Sequence, residues 1–588
     1  MVVIKPTSAC GKKDREEIKT MNAKASYEAK PWVKFYDPGM PPTIDIPSKS
    51  LAQLFDEATE KYAGKTALIF YGKKISYATL RKHTDRLATA LSDLGLKRGD
   101  KVALYLLNSP QYIISYFAVL KLGCAVTPIS PVYTSFEIKH QLENSEAKAL
   151  ICQDILYDKV EKAGVKMHSV IITSASEYLP TLKKLFGKTT LPSVSESGQA
   201  QISASGIHRF QDLLKKYPPN PPKVTIDPKN DVAVLPYTGG TTGQPKGVVL
   251  THANLVAAVV VNGSVHNYKD GKEVVIAFLP LFHIYGQVAI VLTSLLHGQT
   301  LVLFTTPDTE SILDACERYE ATIFLGVPTL YEYLKDHKDT NKVNWKRFTV
   351  ILCGADTLHE STVQAWKKRT QSTITEGYGL TESCAGSHLN PVTRPKTGSF
   401  GVPIPNLTAA IIDPDGTDFL PVGEVGELML KGPTIMQGYW RNPEQTKATF
   451  LEVDGEHWLR TGDLVRMDEE GYFHFYDRRK DLIKHRGYSV FARDIEDVLY
   501  EHPQVKAAGV IGVPDPAEGS VIKAVVVLQP DARGKVTEDD IRKYCAERLA
   551  HYKVPKIIEF RGELPKTDAG KVSHRELREE VAKEARTQ

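Results

Sequence analysis

The sequence predicts an α/β protein: a large N-terminal domain of several parts built on parallel sheets, followed by a small α+β C-terminal domain. Three observations carry that expectation. The chain has 588 residues, well past the size at which one hydrophobic core stops growing, so two or more domains are expected. Apolar runs of strand length recur between helical patterns, as parallel strands joined by crossover helices require. Near Asp477 to Asp481 the pattern changes from a Gly-punctuated meander to a compact mixture of helix and strand.

In chain order, the first amphipathic helix follows Ser50, a suitable N-cap, and places Leu51, Leu54, Phe55, Ala58 and Tyr62 on one face. KVALYLL (101–107) reads as a buried strand, and Ser109-Pro110 opens a helix because Pro fits a first turn. Further strands are expected at CAVTPIS (124–130), VAVLPYT (232–238), VVIAFLP (274–280), TIFLGV (322–327) and FTVILCG (348–354). The Ser-rich stretch 189–206 and YPPNPPK (217–223) read as surface connections. Phe278 to Phe304 is long enough to span a bilayer. However, Pro280, His283, Gln287, His297, Gly298 and Gln299 interrupt it, so a strand–loop–helix–strand unit is expected instead.

Beyond the meander, Ile495, Val498 and Leu499 mark a helix, and AAGVIGV (507–513) and KAVVVLQ (523–529) mark strands. A helix from Thr537, with Asp540 as its capping-box partner, turns Ile541, Tyr544, Cys545 and Leu549 inward. IIEF (557–560) closes a small sheet. The expected division is a large domain over 1–476, a hinge at 477–481 and a small domain over 482–588, each of ordinary size or larger.

Composition excludes several classes. Hydrophobic residues make up 42% and charged residues 24%, so neither wholesale disorder nor a multi-span membrane protein fits. Lys+Arg 74 against Asp+Glu 70 leaves +4, too small an excess for a dedicated nucleic-acid binder of this length. The seven cysteines show no C-x-x-C pair and no zinc spacing with His, as expected for reduced thiols inside a cell. The polar N-terminus has no apolar core, so no signal peptide is expected. A cytoplasmic protein follows.

The strongest local signal is Tyr237-Thr-Gly-Gly-Thr-Thr-Gly-Gln-Pro-Lys-Gly247, directly after a strand. Glycines and threonines in so short a span bring backbone N–H groups and hydroxyls together around an anion, and Lys246 adds positive charge. It is not a Walker A loop, because Lys246 precedes Gly247 and no Ser or Thr follows the lysine.

This string resembles the phosphate loop of the adenylate-forming superfamily. Five further motifs follow in that family's order: Phe278-Leu-Pro-Leu-Phe-His283, Gly377-Tyr-Gly-Leu-Thr-Glu-Ser383, Thr461-Gly-Asp-Leu464, Asp477-Arg-Arg-Lys-Asp-Leu-Ile-Lys484 and Pro565-Lys-Thr-Asp-Ala-Gly-Lys571. They cover the chain from about residue 230 to 575. KPWVKFYDPGMPPTID (30–45) is similar to the long-chain fatty acyl-CoA synthetase branch.

The resemblance implies a mobile C-terminal domain and roles for particular residues. Thr238, Gly239, Gly240, Thr241, Thr242, Gly243 and Lys246 would cradle phosphates, with Thr241 also counted as catalytic. Gly354, Ala355, Gly377, Tyr378, Gly379 and Thr381 would line the nucleotide site, with Tyr378 on the adenine. In isolation Tyr378 would read as a core residue. Glu382 would hold Mg²⁺ against ATP oxygens, since Mg²⁺ takes one or two carboxylates plus phosphates. Asp463 and Arg478 would contact the ribose, although a lone Asp after Thr-Gly reads first as a turn former. His283, with Gly354 and Gly379, would border the carboxylate end of the acyl pocket. Lys480 would be the hinge. Lys571 would stabilise charge at the α-phosphate during adenylation.

Three departures stand out: Gly239 where Ser is usual, Asp356 after Gly354-Ala355, and Ala492 with Asp494 where Pro and Glu are usual. The implied activity is AMP-forming ligation of a medium- to long-chain fatty acid to CoA, using ATP and Mg²⁺, with no nucleic-acid partner. The residues leave open an aryl or short-chain acid, a luciferase-like or peptide-synthetase module, and an inactive nucleotide-binding homologue. They also leave open a homo-oligomer, and contact of YLPTLKKLFGK (178–188) with the inner face of the membrane. No carrier-protein domain follows residue 588, which argues against a self-contained peptide-synthetase module.

Overall fold

The computed structural model describes residues 21, 23–180, 207–238, 245–266, 268–306, 308–356, 358–479, 482–485, 488–515, 519–566 and 572–587. Among the sequence-selected positions, Gly239, Gly240, Thr241, Thr242, Gly243, Lys480, Lys571 and residues 181–188 lie outside them. The chain forms two compact units. One comprises Lys30–Thr408 with Leu430–Leu459; the other comprises Ala409–Met429 with Arg460–Gln588, together with the described residues before Lys30.

The first unit holds two large sheets. In one, the strands Thr375–Tyr378, Val350–Cys353, Ile323–Gly326, Val274–Ala277, Thr300–Leu303 and Thr66–Phe70 lie side by side, all parallel. The second sheet carries five parallel strands, Ala125–Pro128, Lys101–Tyr105, Ala147–Gln153, Ser169–Thr173 and Ile207–Arg209, with Val232–Val234 parallel to the first of them. Most of these strands are nearly continuous apolar runs, as strands covered on both faces require, whereas Thr375–Tyr378 and Ile207–Arg209 at the ends of the parallel runs are more polar.

Local signals behave as their chemistry dictates. Ser50 and Gln53 close a capping box on the helix Leu51–Lys61, whose Leu51, Phe55 and Ala58 are buried. Pro110 takes the first position of Pro110–Lys121, behind Ser109 as N-cap. The expected single strand over 232–238 is instead two, Val232–Val234 and Tyr237–Thr238, broken at Leu235-Pro236. Pro236 has no N–H to give a ladder, and its carbonyl accepts from Val248 N–H at 2.8 Å. The apolar stretch 278–304 folds as a loop, a π-helical turn Gly286–Leu292 running into Thr293–Leu296, and the strand Thr300–Leu303. No helix among the described residues is long and apolar enough to cross a membrane.

The strands Thr408–Ile412, Val425–Lys431, Glu456–Met467 and Phe473–Arg478, most of whose residues belong to the second unit, run side by side in that order as the meander. The C-terminal sheet pairs Val505–Asp515 with Gly519–Leu528 in a long antiparallel hairpin, and Ile557–Phe560 joins the latter in parallel. One face packs Val510, Ile522, Ala524 and Val526 against Ile495, Leu499, Ile541 and Cys545. The opposite face packs Ile511, Val525 and Val527 against Leu564 and Leu577. Thr537 and Asp540 make the expected capping box.

Candidate active site

Ligand sites in open parallel sheets form beyond the carboxyl ends of the strands. Three sequence-selected segments of the first unit leave the sheet at such ends. Gly354 and Ala355 follow Val350–Cys353, Gly377 and Tyr378 end Thr375–Tyr378, Gly379 to Glu382 continue from it, and His283 lies in the loop after Val274–Ala277.

Two of the glycines make close approaches, and at Gly379 the approach requires glycine. A Cβ on Gly379 would lie 1.3 Å from the Ala385 carbonyl oxygen, so the loop 379–386 folds back only because that atom is missing. A Cβ on Gly354 would come within 3.3 Å of the Tyr285 ring, so the ring would have to give by a few tenths of an ångström. The Tyr285 hydroxyl is buried there without a hydrogen-bond partner among the described residues.

His283 is exposed, with protein atoms crowding around it. That crowding lowers its pKa below the ordinary imidazole value, and the ring is neutral at pH 7. The Tyr285 N–H donates to His283 Nδ1 at 3.4 Å, so the ring's proton sits on Nε2, a donor suited to a carboxylate or carbonyl oxygen. Tyr378 packs one face at 4.6 Å on Phe400 and stays half-buried, which leaves part of its ring available to a planar base.

Thr238 and Lys246 are cross-strand partners in a short antiparallel pair. The next part of that strand, Val248–Val249, pairs with Gly438–Tyr439. Tyr439 thereby reaches the carboxylate picked from the sequence: its hydroxyl donates to Glu382 Oε1 at 2.8 Å. The Lys246 ammonium sits 5.3 Å from the Tyr439 ring centroid. Burial lowers the Lys246 pKa and Glu382 opposes that shift, whereas burial and Glu382 both push the Tyr439 phenol up. Tyr439 escaped the sequence reading, since QGYW carries no local sign of its partner.

Glu382 occupies a single turn, Thr381–Ser383, and its backbone carbonyl accepts from Met436 N–H at 2.8 Å. No group of three His, Cys, Asp or Glu side chains gathers among the described residues. One carboxylate next to the Lys246 strand matches the donor set Mg²⁺ uses when nucleotide oxygens complete its shell. The residues therefore fit that ion.

The second unit brings the remaining pair together. Asp463 lies opposite Arg478 in the strand register, and Arg478 Nε meets its Oδ1 at 2.8 Å. Asp463 is buried while Arg478 is exposed, so the arginine covers a carboxylate that is fixed from below. The fixing comes from a residue the sequence reading missed. Glu427, 2% accessible, accepts Gly462 N–H at 3.1 Å, Arg460 at 2.5 and 3.0 Å, and Arg479 at 3.3 Å. Thr461 donates its hydroxyl to Leu428 O at 2.9 Å and accepts Asp463 N–H at 3.1 Å. The Thr-Gly-Asp turn is thus held by both side chain and backbone. Lys571 lies outside the described residues, and the flanking Lys566 and Val572 pair with each other.

Comparison with known proteins places this geometry. Residues 55–440 match the model of the AMP-binding enzyme family, and residues 494–571 match that of the AMP-binding enzyme C-terminal domain. A long-chain-fatty-acid–CoA ligase of Bacillus subtilis (strain 168) is 37% identical over 559 residues, covering 94% of this chain and 98% of that protein. One from Escherichia coli O6:H1 is 33% identical over 572 residues, with the same coverage of each. The crystal structure of ATP-bound MatB from Rhodopseudomonas palustris superimposes with a TM-score of 0.78 at 28% identity, covering 90% of this chain and 98% of that one.

Proposed function

The chain belongs to the AMP-binding enzyme family, and from that premise we propose that it is an ATP-dependent acyl-CoA synthetase acting on a medium- to long-chain fatty acid. The fatty carboxylate attacks the α-phosphorus of ATP, and pyrophosphate leaves. The CoA sulfur then attacks the carbonyl carbon of the acyl-adenylate, the C–O bond to phosphate breaks, and AMP leaves as the thiol proton is released.

Each residue has a task in that sequence. His283, neutral and donating from Nε2, orients the carboxylate without adding a charge that would hold it in the ground state. Tyr378 supports the adenine. Asp463 accepts from the ribose hydroxyls and Arg478 flanks them. Thr238 and Lys246 bring the phosphate loop to the polyphosphate. Glu382 would hold Mg²⁺, which when bound screens the phosphate charges. Lys571 places an ammonium where charge builds on the α-phosphate oxygens. Rotation at Lys480 separates the two half-reactions.

The observation that carries this reading is the exit of His283, Gly354 and Gly377–Glu382 at the carboxyl ends of one parallel sheet, with Tyr439 joining Glu382 to the Lys246 strand. The test is AMP release, with CoA present, over acids from acetate through benzoate to palmitate. Turnover highest with the aliphatic acids of medium and long chain supports the assignment. Benzoate far above every fatty acid replaces the substrate but keeps the chemistry, and no AMP with any acid removes the enzyme.

A further inference from the structure

We infer that Tyr439 is a positioning residue that serves two groups at once: its hydroxyl orients the Glu382 carboxylate toward the metal, and its ring face holds the Lys246 ammonium toward the nucleotide phosphates. The inference rests on Glu382 being the metal carboxylate, as proposed above. Three observations lead to it. The phenol donates to Glu382 Oε1 at 2.8 Å, which orients a carboxylate whose backbone turn is itself held by Met436 N–H. The Lys246 nitrogen lies 5.3 Å from the ring centroid, within cation–π range. The backbone of Tyr439 is anchored independently of both contacts. It pairs with Val248, and its N–H donates to Thr446 Oγ1 at 2.9 Å.

That anchoring makes Tyr439 a rigid platform. A carboxylate on a short turn and an ammonium on a four-carbon stem would each sample several rotamers on their own. Holding both against one ring removes that freedom before the nucleotide arrives. Hydrogen-bonded supports of metal carboxylates typically contribute ten- to a hundredfold in metal affinity. A half-buried phenol with one such bond belongs near the lower end of that range.

The two functions separate by substitution, because Tyr439→Phe removes only the hydroxyl while Tyr439→Leu removes the ring as well. Mn²⁺ replaces Mg²⁺ as a paramagnetic probe, titrated by electron paramagnetic resonance in the presence of a non-hydrolysable ATP analogue. Metal-free binding of the same analogue is measured by calorimetry. Tyr439→Phe should weaken Mn²⁺ by about tenfold and leave metal-free nucleotide affinity within about twofold. Tyr439→Leu should weaken both. A Tyr439→Phe/Glu382→Gln double variant should lose no more Mn²⁺ affinity than Glu382→Gln alone, whereas a merely structural role for the phenol would add its own loss. If Glu382→Gln leaves Mn²⁺ binding intact, the metal assignment fails and this inference with it. If Glu382→Gln weakens Mn²⁺ and Tyr439→Phe does not, the role of Tyr439 alone is overturned.

Discussion

Replacing Glu427 by Gln keeps shape and removes one charge, at a place where the charge has several partners. The carboxylate is 2% accessible, and Arg460, 17% accessible, has its only other hydrogen bond among the described residues to Pro414 O at 3.5 Å. Breaking one side of a buried pair costs about 3–5 kcal/mol, because the remaining charge stays buried. Arg479 is more exposed and reaches solvent, so the lower end applies, about 3 kcal/mol. Gly462 N–H can still find the amide oxygen, but the amide nitrogen must then face two guanidinium groups. The Thr-Gly-Asp turn should therefore shift, and with it Asp463. Urea unfolding of Glu427→Gln should show a loss of about 3 kcal/mol, and the KM for ATP should rise by about tenfold with a smaller fall in kcat. A loss below about 1 kcal/mol with unchanged ATP kinetics would refute the claim that Glu427 holds the turn, and would class its ion pairs with ordinary surface contacts.

Further expectations follow from the same groups. Asp463→Ala should raise the KM for ATP by roughly ten- to a hundredfold, the equivalent of about 1.5–3 kcal/mol of charge-assisted hydrogen bonding; unchanged ATP kinetics would remove Asp463 from the site. Lys571→Ala should slow adenylate formation by about 10²-fold or more in single-turnover experiments and leave thioester formation from supplied acyl-adenylate much less affected. Equal slowing of both steps would reduce Lys571 to a structural role. His252, buried and accepting Leu51 N–H on Nδ1, has its pKa pushed down to about 4 by desolvation. Its folded value is depressed, so the stability it supports is present above about pH 6.5 and is lost as pH falls toward 4, about 3 kcal/mol in all. Urea midpoints measured from pH 7 to pH 4 should fall less steeply in His252→Asn; identical slopes would show that the histidine is already protonated or not buried in solution.

Much of the fold was legible because its strands are buried on both faces and therefore read as unbroken apolar runs. The N-cap at Ser50 and the capping box at Thr537 were legible too, since each rests on one or two residues close in sequence. What escaped depends on distance along the chain or on burial that composition does not reveal. Tyr439 meets Glu382 through a strand pairing with Val248, and no local window contains all three residues. Glu427 sits in Val425–Lys431, where a single acid reads as a solvent-facing position until the two arginines are seen around it. The π-helical turn Gly286–Leu292 looks like any apolar helix in sequence, because its wider winding is a matter of hydrogen-bond partner and not of composition. The site residues proposed from sequence are those in ordered strings, where glycine, threonine and charge together leave few other uses.

The direct test of attack by a fatty carboxylate on the α-phosphorus is oxygen transfer. Palmitate carrying ¹⁸O in both carboxylate positions should be turned over with unlabelled ATP and CoA, and the AMP examined by mass spectrometry. The carboxylate oxygen that joins phosphorus stays with it when the thiol cleaves the C–O bond. Attack on the α-phosphorus leaves one ¹⁸O in each AMP, none in pyrophosphate, and the second label in the thioester carbonyl. Unlabelled AMP, or label appearing in pyrophosphate or inorganic phosphate, would contradict the acyl-adenylate route.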